Sequence, residues 1–158
     1  MSVTLSLLLV LASVAAGRDT CRECHAALEG RLAKPALEFA GDVHARVGFG
    51  CASCHGGDPG QEDPALSMSR AKGFVGKIAR TAIPRTCARC HSDAALMHKF
   101  KPQQRVDQLA QYLTSVHGKR LAQGDTGVAT CTDCHGTHGI VEVRDPRAPT
   151  HPLRLPST

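Results

Sequence analysis

The 158-residue sequence contains no tryptophan, one tyrosine and four phenylalanines. Aromatic side chains supply much of the area that a globular interior buries. Their scarcity excludes an ordinary aromatic-anchored core in a chain this small. Convincing strand alternation is missing, and no repeat of about 20 to 50 residues stands out beyond one short motif. There is no run of basic residues and no basic face interleaved with aromatics, which excludes a nucleic-acid surface. What the chain has in quantity is 15 glycines and 9 prolines, the composition of loops.

Eight cysteines are present, and all fall into four copies of Cys-x-x-Cys-His. These are Cys21–Cys24–His25, Cys51–Cys54–His55, Cys87–Cys90–His91 and Cys131–Cys134–His135. With 9 histidines in the chain, four chance placements directly after a pair have a probability of roughly one in 10^5. Two four-cysteine zinc sites would leave those histidines unexplained. Bridging cysteines so close in sequence would close a strained ring. The spacing fits covalent attachment of c-type haem, in which two thiols add across the vinyl groups and the histidine supplies one axial nitrogen to iron. The sequence thus predicts four covalently bound haems.

Four large apolar plates would replace the missing aromatic core. The expected fold is mostly α with extensive loops and few or no strands, the polypeptide wrapped around packed haems. Without haem such a chain should fold poorly. The formal charge of +5 becomes about +1 with four oxidised haems and about −3 with four reduced ones, once propionates are counted. The basic residues therefore offset propionates.

Residues 1–16 read as an export signal: an apolar stretch from Val3 to Ala16, ending in small residues before Gly17. An uncleaved membrane tether is the alternative. Residues 17–145 form the expected tetrahaem domain, and 146–158 a Pro-rich tail. Before the third motif the chain reads Ile83-Pro84-Arg85-Thr86-Cys87, and it closes on Leu155-Pro156-Ser157-Thr158. The tail thus resembles the approach to a further motif: either a longer cytochrome continues there, or the tail from Asp145 lies extended on a partner.

The clearest helical pattern runs from Pro102 to Val116, where Val106, Leu109, Ala110 and Leu113 make one stripe. His117 extends that stripe, and Gly118 is expected to stop the helix. Shorter helical stretches are predicted at Ala26–Ala40, interrupted by Pro35, and after Pro64; Gly48–Gly50, Gly56-Gly57 and Gly124–Gly127 read as loops.

Each iron has a second axial position, and five histidines lie outside the motifs: His44, His98, His117, His138 and His151. His44 sits seven positions before Cys51 near a glycine loop. His138 is too close to His135 to share its iron but could reach an adjacent haem. His98 lies beside Met97, and either could ligate; His151 sits in the tail. The expected ligand set is His44, His98, His117 and His138. Two imidazoles make an electron conduit, whereas an open iron would permit substrate chemistry.

The runs Tyr112-Leu113-Thr114-Ser115-Val116-His117-Gly118 and Cys131-Thr132-Asp133-Cys134-His135-Gly136-Thr137-His138-Gly139-Ile140 resemble multihaem cytochrome c3-like and cytochrome c554-like proteins, as does Cys87–Leu96. The resemblance covers residues 85–145, and the N-terminal half through its motifs alone. It implies closely packed haems, His117 and His138 as distal ligands, and electron transfer. The resulting expectation is a periplasmic or extracellular carrier, not itself an enzyme. It would relay electrons from a quinol-linked or dehydrogenase donor to a downstream cytochrome or reductase, with a membrane complex or filament as a further setting. The rival expectation is a haem-bearing subunit of an oxidoreductase acting on a small nitrogen or sulfur compound.

Overall fold

A computed structural model describes residues 18–155. Ten short α-helices joined by loops make up the described residues, with no strand among them. They are α1 (Thr20–Ala26), α2 (Ala33–Phe39), α3 (Val43–Arg46), α4 (Ala52–His55), α5 (Pro64–Ser67), α6 (Ile83–His91), α7 (Ala94–Phe100), α8 (Gln108–Thr114), α9 (Val116–Ala122) and α10 (Cys131–His135). Two 3-10 turns, Arg70–Lys72 and Arg80–Ala82, complete the set. The predicted export signal lies outside the described residues.

Local chemistry starts most of these helices. Side-chain carboxylates of Asp19, Asp42, Asp63 and Asp93 accept backbone N–H bonds at the starts of α1, α3, α5 and α7. Thr130 and Asp133 form a reciprocal capping box on α10. Pro64 and Pro84 occupy first-turn positions of α5 and α6, where the missing N–H costs nothing. Pro35 sits in the first turn of α2 rather than interrupting one long helix, and the chain between α1 and α2 is turn.

The stripe predicted to run from Pro102 to Val116 is broken. Residues 102–107 are not helical, α8 ends at Thr114, and Ser115 in extended conformation starts α9 by accepting from the N–H of Gly118 at 3.1 Å. Pro102 and the Arg105–Asp107 ion pair hold the preceding segment as a turn. Gly118 therefore does not stop a helix. It lies inside α9, where an added Cβ would collide with the Tyr112 carbonyl and the Leu113 Cα of α8. The periodicity was real, but a serine cap outcompeted helix continuation and a glycine let two helices touch.

Helix α1 packs on α2, while α6 packs on α7, α8 and α10, and α8 on α9. Very little of this packing is apolar. Among the described residues the buried apolar ones are Ala33, Ala36, Pro84, Leu121, Val128 and Ala148, while large side chains such as Leu37, Val47, Leu66 and Val116 remain exposed. The largest fully buried side chain is a carboxylate, Asp42. The tail is not extended as far as it is described: residues 145–155 run through successive turns, with Ala148 buried.

Candidate haem-binding site

All four motifs are helical. The first lies within α1, the second spans the start and length of α4, the third closes α6, and the fourth is α10 itself. On a helix, positions i, i+3 and i+4 share one face. Each motif thus presents two sulfurs and one imidazole to the same side, with the imidazole in the last turn. All eight cysteines are free thiols. Among the described residues no group of three or more His, Cys, Asp or Glu side chains converges to hold a metal ion directly. The donors come as separated pair-plus-histidine sets, the arrangement haem attachment uses and a four-sulfur zinc cage does not.

The motifs are also tied to one another in chain order. Asp19, which caps α1, accepts the N–H of Cys51 at 3.3 Å and so joins the first motif to the second. Arg89, inside the third motif, donates to the carbonyls of Ser53 and Cys54 at 3.3 and 3.1 Å, joining the third to the second. Cys87 and Cys131 lie close enough to perturb each other, which brings the third motif beside the fourth. Their proximity pushes Cys87 upward and Cys131 downward, while burial raises Cys51 to about 11. These thiol values belong to the chain before thioether formation. Arg80 fastens the fourth motif: it reaches both carboxylate oxygens of Asp133 at 3.1 and 2.8 Å and the carbonyls of Thr126 and Val128 at 2.8 and 2.6 Å.

The imidazoles form two close pairs. The rings of His55 and His138 lie 5.9 Å apart between centroids at an interplanar angle of 18°. Those of His44 and His91 are also 5.9 Å apart, at 88°. With metal–nitrogen bonds of about 2 Å, two axial imidazoles on one metal put their ring centroids about 6 Å apart. Both ring orientations are compatible, because each ring can turn about the axis it shares with the metal.

Hydrogen bonds fix which nitrogen is presented. Nδ1 of His55 lies 2.8 Å from the Gly76 carbonyl, Nδ1 of His44 lies 2.8 Å from Asp42 Oδ1, and Nδ1 of His25 lies 3.3 Å from the Leu32 carbonyl. An Nδ1–H held by an acceptor leaves Nε2 as the free lone pair, the usual second-shell arrangement of a ligating histidine. Burial, and then the neighbouring imidazole, lowers the pKa of His91 and of His138, favouring the neutral ring that ligates. His138 has φ 57°, the one positive value among described non-glycine residues. Such strain is tolerated where the surroundings require a particular side-chain direction.

The remaining histidines are placed differently. His98 and His117 are exposed, and Nε2 of His98 lies 3.3 Å from the Gln104 carbonyl. Nδ1 of His151 accepts the N–H of Leu153 at 3.3 Å. Among the described residues no further pair of imidazoles is in ring contact. The site is bounded by a cavity of about 380 Å³ lined by Cys54, Val75, Ile78, Ala82, Thr86 and Arg89, between the second and third motifs. The donor set, the free thiols and the sparse apolar packing together fit haem c.

The sequence profile of the cytochrome c3 family matches residues 43–145, the span holding the second, third and fourth motifs and both imidazole pairs. The chain belongs to the cytochrome c3 family. The cytochrome c3 assignment makes it a haem c-binding, multihaem electron-transfer protein of a kind typically found in the periplasm or exported. No curated protein matches the chain. No solved structure matches it either. Among the described residues no helix is long and apolar enough to cross a membrane.

Sequence reading had missed Asp42, Asp19, Arg80 and Arg89. An aspartate before a helical turn signals a cap, and Thr130-x-x-Asp133 approximates a capping box. Neither signal says that the same carboxylate reaches another motif.

Proposed function

We propose that the chain is a tetrahaem electron relay with bis-histidine ligation, whose four attachment motifs would hold the haems side by side in the order of the sequence. The observation that carries this reading is the pair of imidazole contacts at 5.9 Å, one between a motif histidine and His44 and the other between a motif histidine and His138. When bound, haem c supplies a one-electron ferric/ferrous couple. The residues do the rest. Cys21, Cys24, Cys51, Cys54, Cys87, Cys90, Cys131 and Cys134 attach four groups, and His25, His55, His91 and His135 each present a proximal nitrogen.

In this reading His138 faces His55 across the second site and His44 faces His91 across the third. His98 and His117, with Met97 as a competitor at the same turn, complete the first and fourth. Saturated axial positions leave no room for substrate, which favours a carrier over an oxidoreductase subunit. The links through Asp19, Arg89 and the Cys87–Cys131 contact hold successive attachment points side by side. One electron enters from a donor and leaves to an acceptor. Those partners are redox proteins: a quinol-linked or dehydrogenase donor and a downstream cytochrome or reductase, met outside the inner membrane.

The test is the intact mass and the ferric spectrum of protein matured in a host that attaches haem c. Four haem increments and a wholly low-spin spectrum are expected. A haem-free mass would remove the electron-transfer reading. A persistent high-spin haem would move it toward the oxidoreductase subunit.

A further inference from the structure

Asp42 is the most deeply buried polar side chain described, 1% exposed, and its recorded partners are two backbone N–H groups and the His44 ring, with no lysine or arginine among them. Oδ1 accepts from the backbone N–H of His44 and sits against His44 Nδ1, both at 2.8 Å. Oδ2 accepts from the backbone N–H of Ile140 at 2.8 Å, across 98 positions of sequence. The next residue closes the clasp, because the N–H of Val43 donates to the Ile140 carbonyl at 2.8 Å. Ile140 follows His138 by two positions, and the strained backbone of His138 lies just before this anchor. A buried carboxylate without these partners would be costly. With them, both of its oxygens are committed to two segments, and each segment carries one histidine of an imidazole pair.

We infer that Asp42 is a positioning residue for two haems at once: one oxygen orients and polarises His44 opposite His91, and the other anchors the segment that aims His138 at His55. This rests on the ligation proposed above. A carboxylate on Nδ1 makes an imidazole a stronger donor and fixes its ring plane. Losing it weakens the iron–His44 bond and favours the ferrous state at that iron. The Ile140 tie acts on the other iron by geometry alone.

Two variants separate the arms. Asp42→Asn is nearly isosteric but supplies one acceptor oxygen where two are needed. Val43→Pro removes only the Val43–Ile140 bond. It suits its position, because Val43 is the first residue of α3 and Asp42 is extended, with φ −70° and ψ 143°. The readouts are cyanide binding to the oxidised holoprotein, electron paramagnetic resonance of each low-spin iron, and the potential of each haem. His44→Ala and His138→Ala identify the two irons by opening them.

Asp42→Asn is expected to raise cyanide affinity about 10- to 100-fold at the iron that His44→Ala opens. It should also shift the resonance of that iron and raise its potential, with a smaller change at the His138 iron. Val43→Pro is expected to change the His138 iron alone. Wild-type cyanide binding and resonances in Asp42→Asn would overturn the inference, as would equal changes at all four haems, the mark of a merely structural carboxylate. Should Asp42→Asn fail to mature, Val43→Pro decides: an effect confined to the His138 iron supports the clasp, and wild-type behaviour there overturns it. If His44→Ala opens no iron, the ligation itself is wrong, a result distinct from either.

Discussion

At the scale of single residues, chemistry is concentrated in imidazoles whose second nitrogen is already occupied. His55 is held from two sides: its Nδ1 meets the Gly76 carbonyl, and its backbone carbonyl accepts the N–H of Val75 at 2.9 Å. Gly56 follows with φ 68°, and a Cβ there would strike the Gly73 carbonyl, so the close approach of this segment needs glycine. His138→Ala is expected to convert one haem from low to high spin and to leave the other three unchanged in the ferric absorption spectrum. His117→Ala is expected to open a different haem; an unchanged low-spin spectrum would remove His117 from the ligands.

At the scale of elements, short helices survive because caps and ion pairs hold them, not because they bury apolar stripes. Gly118→Ala forces the backbones of α8 and α9 apart, and an overlap of that kind costs about 3 kcal/mol; thermal denaturation of the holoprotein measures it. Asp133 is held far below the usual carboxylate range, chiefly by Arg80 and then by the Thr130 N–H. That contribution is complete above about pH 4 and fades as pH falls through the depressed value. The ion pair is more than a third exposed on both sides, so solvent screens it and its share stays small. Asp133→Asn should lower the neutral plateau slightly and leave a flatter acid limb of the stability curve below about pH 4, read by thermal denaturation across pH.

The motifs were legible because Cys-x-x-Cys-His is a local code that needs no tertiary information, but their placement on α1, α4, α6 and α10 was not, since none of the helical stretches read from the sequence contains one. The absence of strands among the described residues was legible from the lack of alternation. The break at Ser115 was not, since an i, i+3, i+4 pattern continues smoothly across a residue that can equally well cap. The pairing of His44 with His91 and of His138 with His55 was out of reach as well. It depends on a buried aspartate joining residues 42 and 140, and no periodicity reports a contact so distant in sequence.

At the scale of the whole molecule, a polypeptide whose described residues bury few apolar side chains, half of them alanines, has little to hold it together alone. Chain produced without haem attachment should therefore show weak helical dichroism and rapid proteolysis, and the matured protein neither. A well-folded haem-free chain would contradict the view that haem supplies the interior.

The clasp between residues 42 and 140 has a consequence for biogenesis. A chain crossing a membrane N-terminus first delivers its second attachment motif long before the partner of that motif's histidine has emerged. On the proposed pairing, the second haem waits through 83 residues, from His55 to His138, with one face open, while the third is served by a histidine already delivered. Ligation thus completes out of the order of attachment, and a segment that arrives after all four motifs closes the middle of the wire. Nascent chains halted before His138 should carry a second haem that a small exogenous ligand can still enter, and chains released after Ile140 should not.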